Sequence, residues 1–198
     1  KVYTEITGFP MLDQVLQSLK AAMKMGMHVK INTILQRGRN ESSWKELLIL
    51  AKDIPVDVRF LELMPIGEGK EGETISNTTL FQKIKEIYPD IKPDERKHGN
   101  GPAIYYKIPG FEGSIGFISA IHGVFCDSCN RLRMTSTGEL KPCLCYDETI
   151  SVRDVARCGD SEKIRENIKH AIQIKPKKHC FSEIEKVSEK KKMAQIGG

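Results

Sequence analysis

The chain has 198 residues, 39% of them hydrophobic and 7% aromatic, enough for an ordinary buried core without disulfide support. Its 31 Lys+Arg against 26 Asp+Glu leave a net charge of +5 with both signs spread along the sequence, too mild and too diffuse for a nucleic-acid surface. No apolar stretch approaches the roughly 20 residues that span a bilayer, and no basic patch with an apolar run opens the chain, so the expectation is a cytoplasmic globular protein without a membrane or nucleic-acid partner.

Lys1 starts inside KVYTEITG, which reads as a surface connection with neither an initiator Met nor a strand before it, as in a piece excised from a longer chain. Residues 9–25 then place Leu12, Val15, Leu16, Leu19 and Met23 at helical spacing, with Gly26 as a stop. His28 to Leu35 alternates apolar Val29, Ile31 and Thr33 with polar Lys30 and Asn32, which predicts a strand carrying one polar row. After the turn QRGRNESS, a helix follows over WKELLILAKDI, capped by Ser42 or Ser43 and burying Trp44, Leu47, Leu48 and Leu50. VDVRFLELM, residues 56 to 64, is the next strand and ends at Pro65. Helix, strand, helix, strand is the order of a parallel α/β sheet or barrel.

That unit stops near Gly72. Beyond it come a helix from Thr79 to Tyr88, two strand-like runs, AIYYKI and SIGFISAI, and short helices at Val152–Val155 and Lys163–Ile174, an α+β extension.

The segment FCDSCNRLRMTSTGELKPCLC holds Cys126, Cys129, Cys143 and Cys145, four of the six cysteines. A two-residue gap lets Cys126 and Cys129 meet one metal centre from a single turn, and a strand pair about Gly138 folds Cys143 back towards them. Four ligands would make a closed structural zinc site; three would leave one iron of a cubane free for a substrate atom, and spacing alone suits both. Arg131 and Arg133 beside such thiolates offer a paired fork to phosphate or a purine edge, or simply offset thiolate charge. Cys145 is ambiguous on spacing, and Cys158 and Cys180 stand apart as inert thiols. A zinc-stabilised structural or RNA-binding module and an auxiliary-cluster electron-transfer domain of another radical enzyme are the rival classes.

At C-x-x-C-N-R-x-R, a glycine turn and a third cysteine, the chain resembles the GTP 3′,8-cyclases, radical S-adenosylmethionine enzymes of molybdenum cofactor biosynthesis; VKINTIL, VRFLELMPIG and the terminal MAQIGG agree in the same order. The resemblance implies that Cys126, Cys129 and Cys143 ligate a [4Fe-4S] cluster, with Cys145 a bystander. It implies that Lys30, Arg131, Leu132, Arg133 and Arg59 form the GTP side, and that Met64 contacts S-adenosylmethionine. Gly197 and Gly198 would be a tail reaching into the active site, where glycine lets backbone approach closely.

The implied fold is the C-terminal part of a partial (βα)6 radical-SAM barrel over residues 1–72, followed by an α+β iron-sulfur, GTP-binding extension over 73–198. The family's radical-generating C-x-x-x-C-x-x-C motif is absent from these residues, so the chain by itself is expected not to cleave S-adenosylmethionine. The complete enzyme, a lyase, would carry a second [4Fe-4S] cluster and take GTP, S-adenosylmethionine and an electron donor. It would hand its product to the enzyme that makes cyclic pyranopterin monophosphate. An unpaired sheet edge would leave self-association into a homodimer open.

Overall fold

Apolar periodicity sets the elements in a computed structural model that describes residues 1–123 and 125–196. Helix α1 (Val2–Thr7) occupies the stretch expected to be a surface connection; Gly8, with φ 78°, supplies the left-handed residue that ends it. Helix α2 (Leu12–Lys24) and strand β1 (Lys30–Ile34) follow as the sequence periods demand. Helix α3 (Trp44–Asp53) starts after Ser43, whose side chain makes no cap hydrogen bond, and β2 (Asp57–Leu61) comes next. Helix α4 (Asn77–Ile87) is capped by Ser76, which accepts from the Thr79 N–H.

The two-residue strand β3 (Lys92–Pro93), β4 (Ile104–Lys107) and β5 (Ser114–Ile118) complete a mixed five-stranded sheet in the order β1-β2-β5-β4-β3. Strands β1, β2 and β5 run parallel, while β4 pairs antiparallel with β5 and β3 with β4. The protein is therefore an α/β fold whose parallel sheet includes SIGFI from the expected extension.

This sheet has two unlike faces. Val58, Phe60, Ile115 and Phe117 are buried against Trp44, Leu48 and Ala51 of α3 and Leu80 and Ile84 of α4. Burying each such large side chain contributes about 1.5–3 kcal/mol. Lys30, Asp57 and Ser114 are register partners, as are Asn32, Arg59 and Gly116, so a second set of rows alternates with the apolar one. Gly113 enters β5 with its N–H on the Ala51 carbonyl (2.8 Å), and a Cβ there would lie 1.9 Å from the Val56 carbonyl oxygen.

The chain divides into two compact units: Lys1–Leu63 with Glu73–Gly123, and Met64–Gly72 with the residues from 125 on. In the second unit β6 (Arg133–Met134), β7 (Glu139–Lys141) and β8 (Ile150–Ser151) form a small antiparallel sheet. Gly138, with φ 79°, turns β6 into β7 as the sequence implied. Helices α5 (Arg153–Arg157) and α6 (Ser161–Gln173) follow, α6 capped by Asp160, and Leu140, Val152 and Ala171 form the core. None of the described helices is long and apolar enough to cross a membrane.

Candidate metal and nucleotide site

A 3-10 turn over Cys126–Ser128 brings the Cys129 N–H onto the Cys126 carbonyl (3.1 Å), so the two-residue gap closes one turn as the spacing implied. The β6–β7 hairpin returns the chain to Cys143 through Pro142. Burial pushes the Cys143 thiol up. The Cys145 N–H and the Lys175 charge oppose that rise, and Cys126 and Cys129 reinforce it, so the three half-buried thiols feel one another's charge.

Donors surround them. The His179 N–H donates to Cys126 Sγ and Lys175 Nζ to Cys129 Sγ, each at 3.4 Å. Cys145 is fully buried and accepts from the Cys180 N–H (3.1 Å); its thiol is pushed up to about 12, by burial first and then by Cys180. Its sulfur is thus engaged with the Cys180 segment. Cys180 donates in turn to the Lys186 carbonyl, and Cys158 is exposed.

Lys175, which sequence reasoning missed, joins both cysteine segments: beyond Cys129 Sγ, its ammonium donates to the carbonyls of Arg131 (2.9 Å) and Pro142 (3.0 Å). In IKPKKH it is one of three lysines, and only Pro176, which stops a helix, marked the place. Lys175→Met should destabilise the chain by about 1–3 kcal/mol, since it removes the shared donor of two carbonyls and the Cys129 sulfur; urea unfolding checks this, and an unchanged midpoint would remove the tether.

Arg131 is exposed and Arg133 half-buried; burial, then Arg131, pulls the Arg133 guanidinium down, while Cys129 pulls it up. Arg133 thus lies in the field of both Arg131 and the Cys129 thiol. Leu132, between them, packs against the core of the small sheet. Met64 is half-buried, following β2. Gly197 and Gly198 lie outside the described residues.

In the other unit, the Lys30 ammonium donates to the His98 carbonyl and lies 5.8 Å from the Tyr105 ring, and Arg59 Nε donates to Asn32 Oδ1 at 2.7 Å. Glu62, also missed, is 1% exposed and accepts from the backbone N–H groups of Asn77 (3.0 Å), Ile121 (2.7 Å) and His122 (2.9 Å) and faces His122 Nδ1 at 3.0 Å. An acid inside the apolar run FLELM was its only signal.

Among the described residues, the one trio of His, Cys, Asp or Glu ligand atoms within 4.8 Å of one another is His28, Asp57 and His98, not the cysteines. A tetrahedral zinc would hold its sulfurs about 3.8 Å apart. The three thiols do not all lie within 4.8 Å of one another, and separate irons of a cluster, unlike one zinc, would not require it.

The family described as Molybdenum Cofactor Synthesis C matches residues 56–181. A protein named GTP 3',8-cyclase from Clostridium perfringens (strain 13 / Type A) is 42% identical over 197 residues, 99% of this chain and 61% of its own length. Proteins of the same name from Alkaliphilus metalliredigens and Petrotoga mobilis are 39% and 36% identical, again over 99% of this chain and 61% of theirs. The chain thus spans about three-fifths of the curated relatives it matches.

Proposed function

Since the chain belongs to the Molybdenum Cofactor Synthesis C family, we propose that it is the substrate-holding portion of a GTP 3′,8-cyclase, a radical S-adenosylmethionine lyase of molybdenum cofactor biosynthesis. The complete protein would convert GTP to (8S)-3′,8-cyclo-7,8-dihydroguanosine 5′-triphosphate. The observation that carries this reading is the mutual influence of three half-buried thiols, with Lys175 joining Cys129 Sγ to the Arg131 carbonyl and Arg133 in the field of Cys129.

Cys126, Cys129 and Cys143 would hold a [4Fe-4S] cluster, which supplies, when bound, an iron with a coordination position left for a substrate atom. Cys145, engaged with Cys180, stands aside. Arg131 and Arg133 would neutralise and orient the nucleotide, with the Leu132 backbone between them, and Lys30 and Arg59 would add charge from the strand face. Met64 would line the S-adenosylmethionine side and Gly197–Gly198 the active-site tail. These residues bind, orient and exclude water; the radical source lies outside them, because the sequence contains no C-x-x-x-C-x-x-C.

Strands β1 and β2 would be the last two of a partial (βα)6 barrel: they run parallel, and β1 is an edge onto which an earlier strand can pair. In the complete protein, Arg131→Ala should raise the Kd for GTP about tenfold or more, the loss of one charge-assisted contact. Calorimetric titration reads it, and an unaltered Kd removes Arg131 from the site.

A further inference from the structure

A second cluster of ligating side chains lies at the start of the parallel strands, in residues no part of the proposed function uses. His28 precedes β1, Asp57 opens β2, and His98 lies between β3 and β4. His98 Nδ1 sits 2.7 Å and His28 Nε2 3.1 Å from the same oxygen, Asp57 Oδ2. One ligand atom from each of the three lies within 4.8 Å of the others. The Asp57 and His98 side chains are only 4% and 7% exposed, whereas His28 is 54% exposed and opens the cluster to solvent.

The far side of the His98 ring is arranged as well. Its Nε2 is buried, without a hydrogen-bond partner among the described residues, and faces Asp94 Oδ2 at 3.1 Å. Asp94 is already fixed by Arg96 Nη2 (2.7 Å) and Ser114 Oγ (2.6 Å). A neutral imidazole carries one N–H, yet His98 meets a carboxylate oxygen at each ring nitrogen. With the proton on Nε2, beside Asp94 Oδ2 but outside hydrogen-bond geometry, the Nδ1 lone pair, Asp57 Oδ2 and His28 Nε2 form an electron-rich trio that calls for a cation. A metal-bound histidine commonly donates its other N–H to a carboxylate, and with Asp94 Oδ2 at 3.1 Å a small turn of the His98 ring would complete that bond.

We propose that His28 Nε2, Asp57 Oδ2 and His98 Nδ1 bind one divalent ion of the zinc class, with its remaining position open to solvent past His28. Two imidazoles and one carboxylate suit zinc better than magnesium or calcium. Zinc would spread ligand atoms to about 3.3 Å apart, a small expansion that the exposed His28 can follow. Arg96 is paired with Asp94 but lines the same pocket within the field of Asp57, and Lys97 and Glu112 beside it carry opposite charges. The ion would fix the segment whose His98 carbonyl receives the Lys30 ammonium.

The test is equilibrium dialysis of the protein and of its His28→Ala variant against zinc at micromolar concentration, followed by metal analysis. The cysteines contribute equally to both, so the difference isolates this site, and His28 is exposed enough for its loss to leave the fold intact. The expected result is about one more zinc per chain in the unmodified protein, and a 10–100-fold weaker affinity in Asp94→Asn. Equal zinc content in the protein and in His28→Ala, as a doubly protonated His98 would give, overturns the proposal.

Discussion

Replacing Cys143 with alanine is expected to strip more than half of the iron from an anaerobically reconstituted protein that otherwise holds about four irons. Cys143 is the single proposed ligand from the far side of the hairpin, since Cys126 and Cys129 come from one turn. Two thiolates on one turn cannot cage a cluster from opposite sides, so the loss should exceed that from any neighbouring cysteine. Its thiol, raised by burial, is lowered by the Cys145 N–H and Lys175, and a cationic cluster core would complete the deprotonation. Cys145→Ala should keep its iron, because Cys145 is turned towards the Cys180 N–H. Iron and acid-labile sulfide analysis of both variants decides the matter. Full iron in Cys143→Ala, or lost iron in Cys145→Ala, would put the cluster on a different ligand set.

Glu62→Ala should destabilise the chain by about 3–4 kcal/mol, because it leaves three backbone N–H groups without their acceptor in a buried place. Glu62 ties the end of β2 to the first turn of α4 and to residues 121–122, so the loss acts on three segments at once. Burial alone would raise its carboxyl above the ordinary 4.5, but the N–H groups of His122, Asn77 and Ile121 outweigh it and hold it below. A carboxyl lowered in the folded state contributes stability that is present in full above its unfolded value and is lost as pH falls through its folded value. The gap between the protein and Glu62→Ala should therefore be widest near neutrality and narrow below about pH 4.5. Thermal unfolding across that range reads it; a gap independent of pH would mean that the carboxylate charge plays no part.

Periodicity made the regular elements legible. The apolar spacing of Trp44, Leu48 and Leu50 and the alternation about Lys30 gave α3 and β1 within a few residues, and Gly138 gave the β6–β7 turn. Strands β3 and β8, two residues each, are too short to carry a period. The sheet order was hidden for another reason: SIGFI pairs with β2 across a separation of more than fifty residues, and nothing local records a parallel neighbour.

The site divides in the same way. Spacing marks the cluster of Cys126, Cys129, Cys143 and Cys145, resemblance alone selects the first three as ligands, and Arg131 and Arg133 stand out by adjacency. Lys175, Glu62 and the His28–Asp57–His98 trio become visible only when distant segments are folded together. Leu132, named with the nucleotide side by resemblance, sends its side chain into the small core, because alternation between two polar arginines turns it to the opposite face.

Gly113 has a consequence for specificity of pairing. A methyl group there would strike the Val56 carbonyl, so only a bare backbone can pass that corner, and the incoming strand is halted at one position along its neighbour. Slippage by a single residue would bring Ser114 to the hydrophobic side and expel Ile115 and Phe117 to the charged one. A glycine without chemistry of its own thus acts as the stop that keeps oil and charge on separate sides of the sheet.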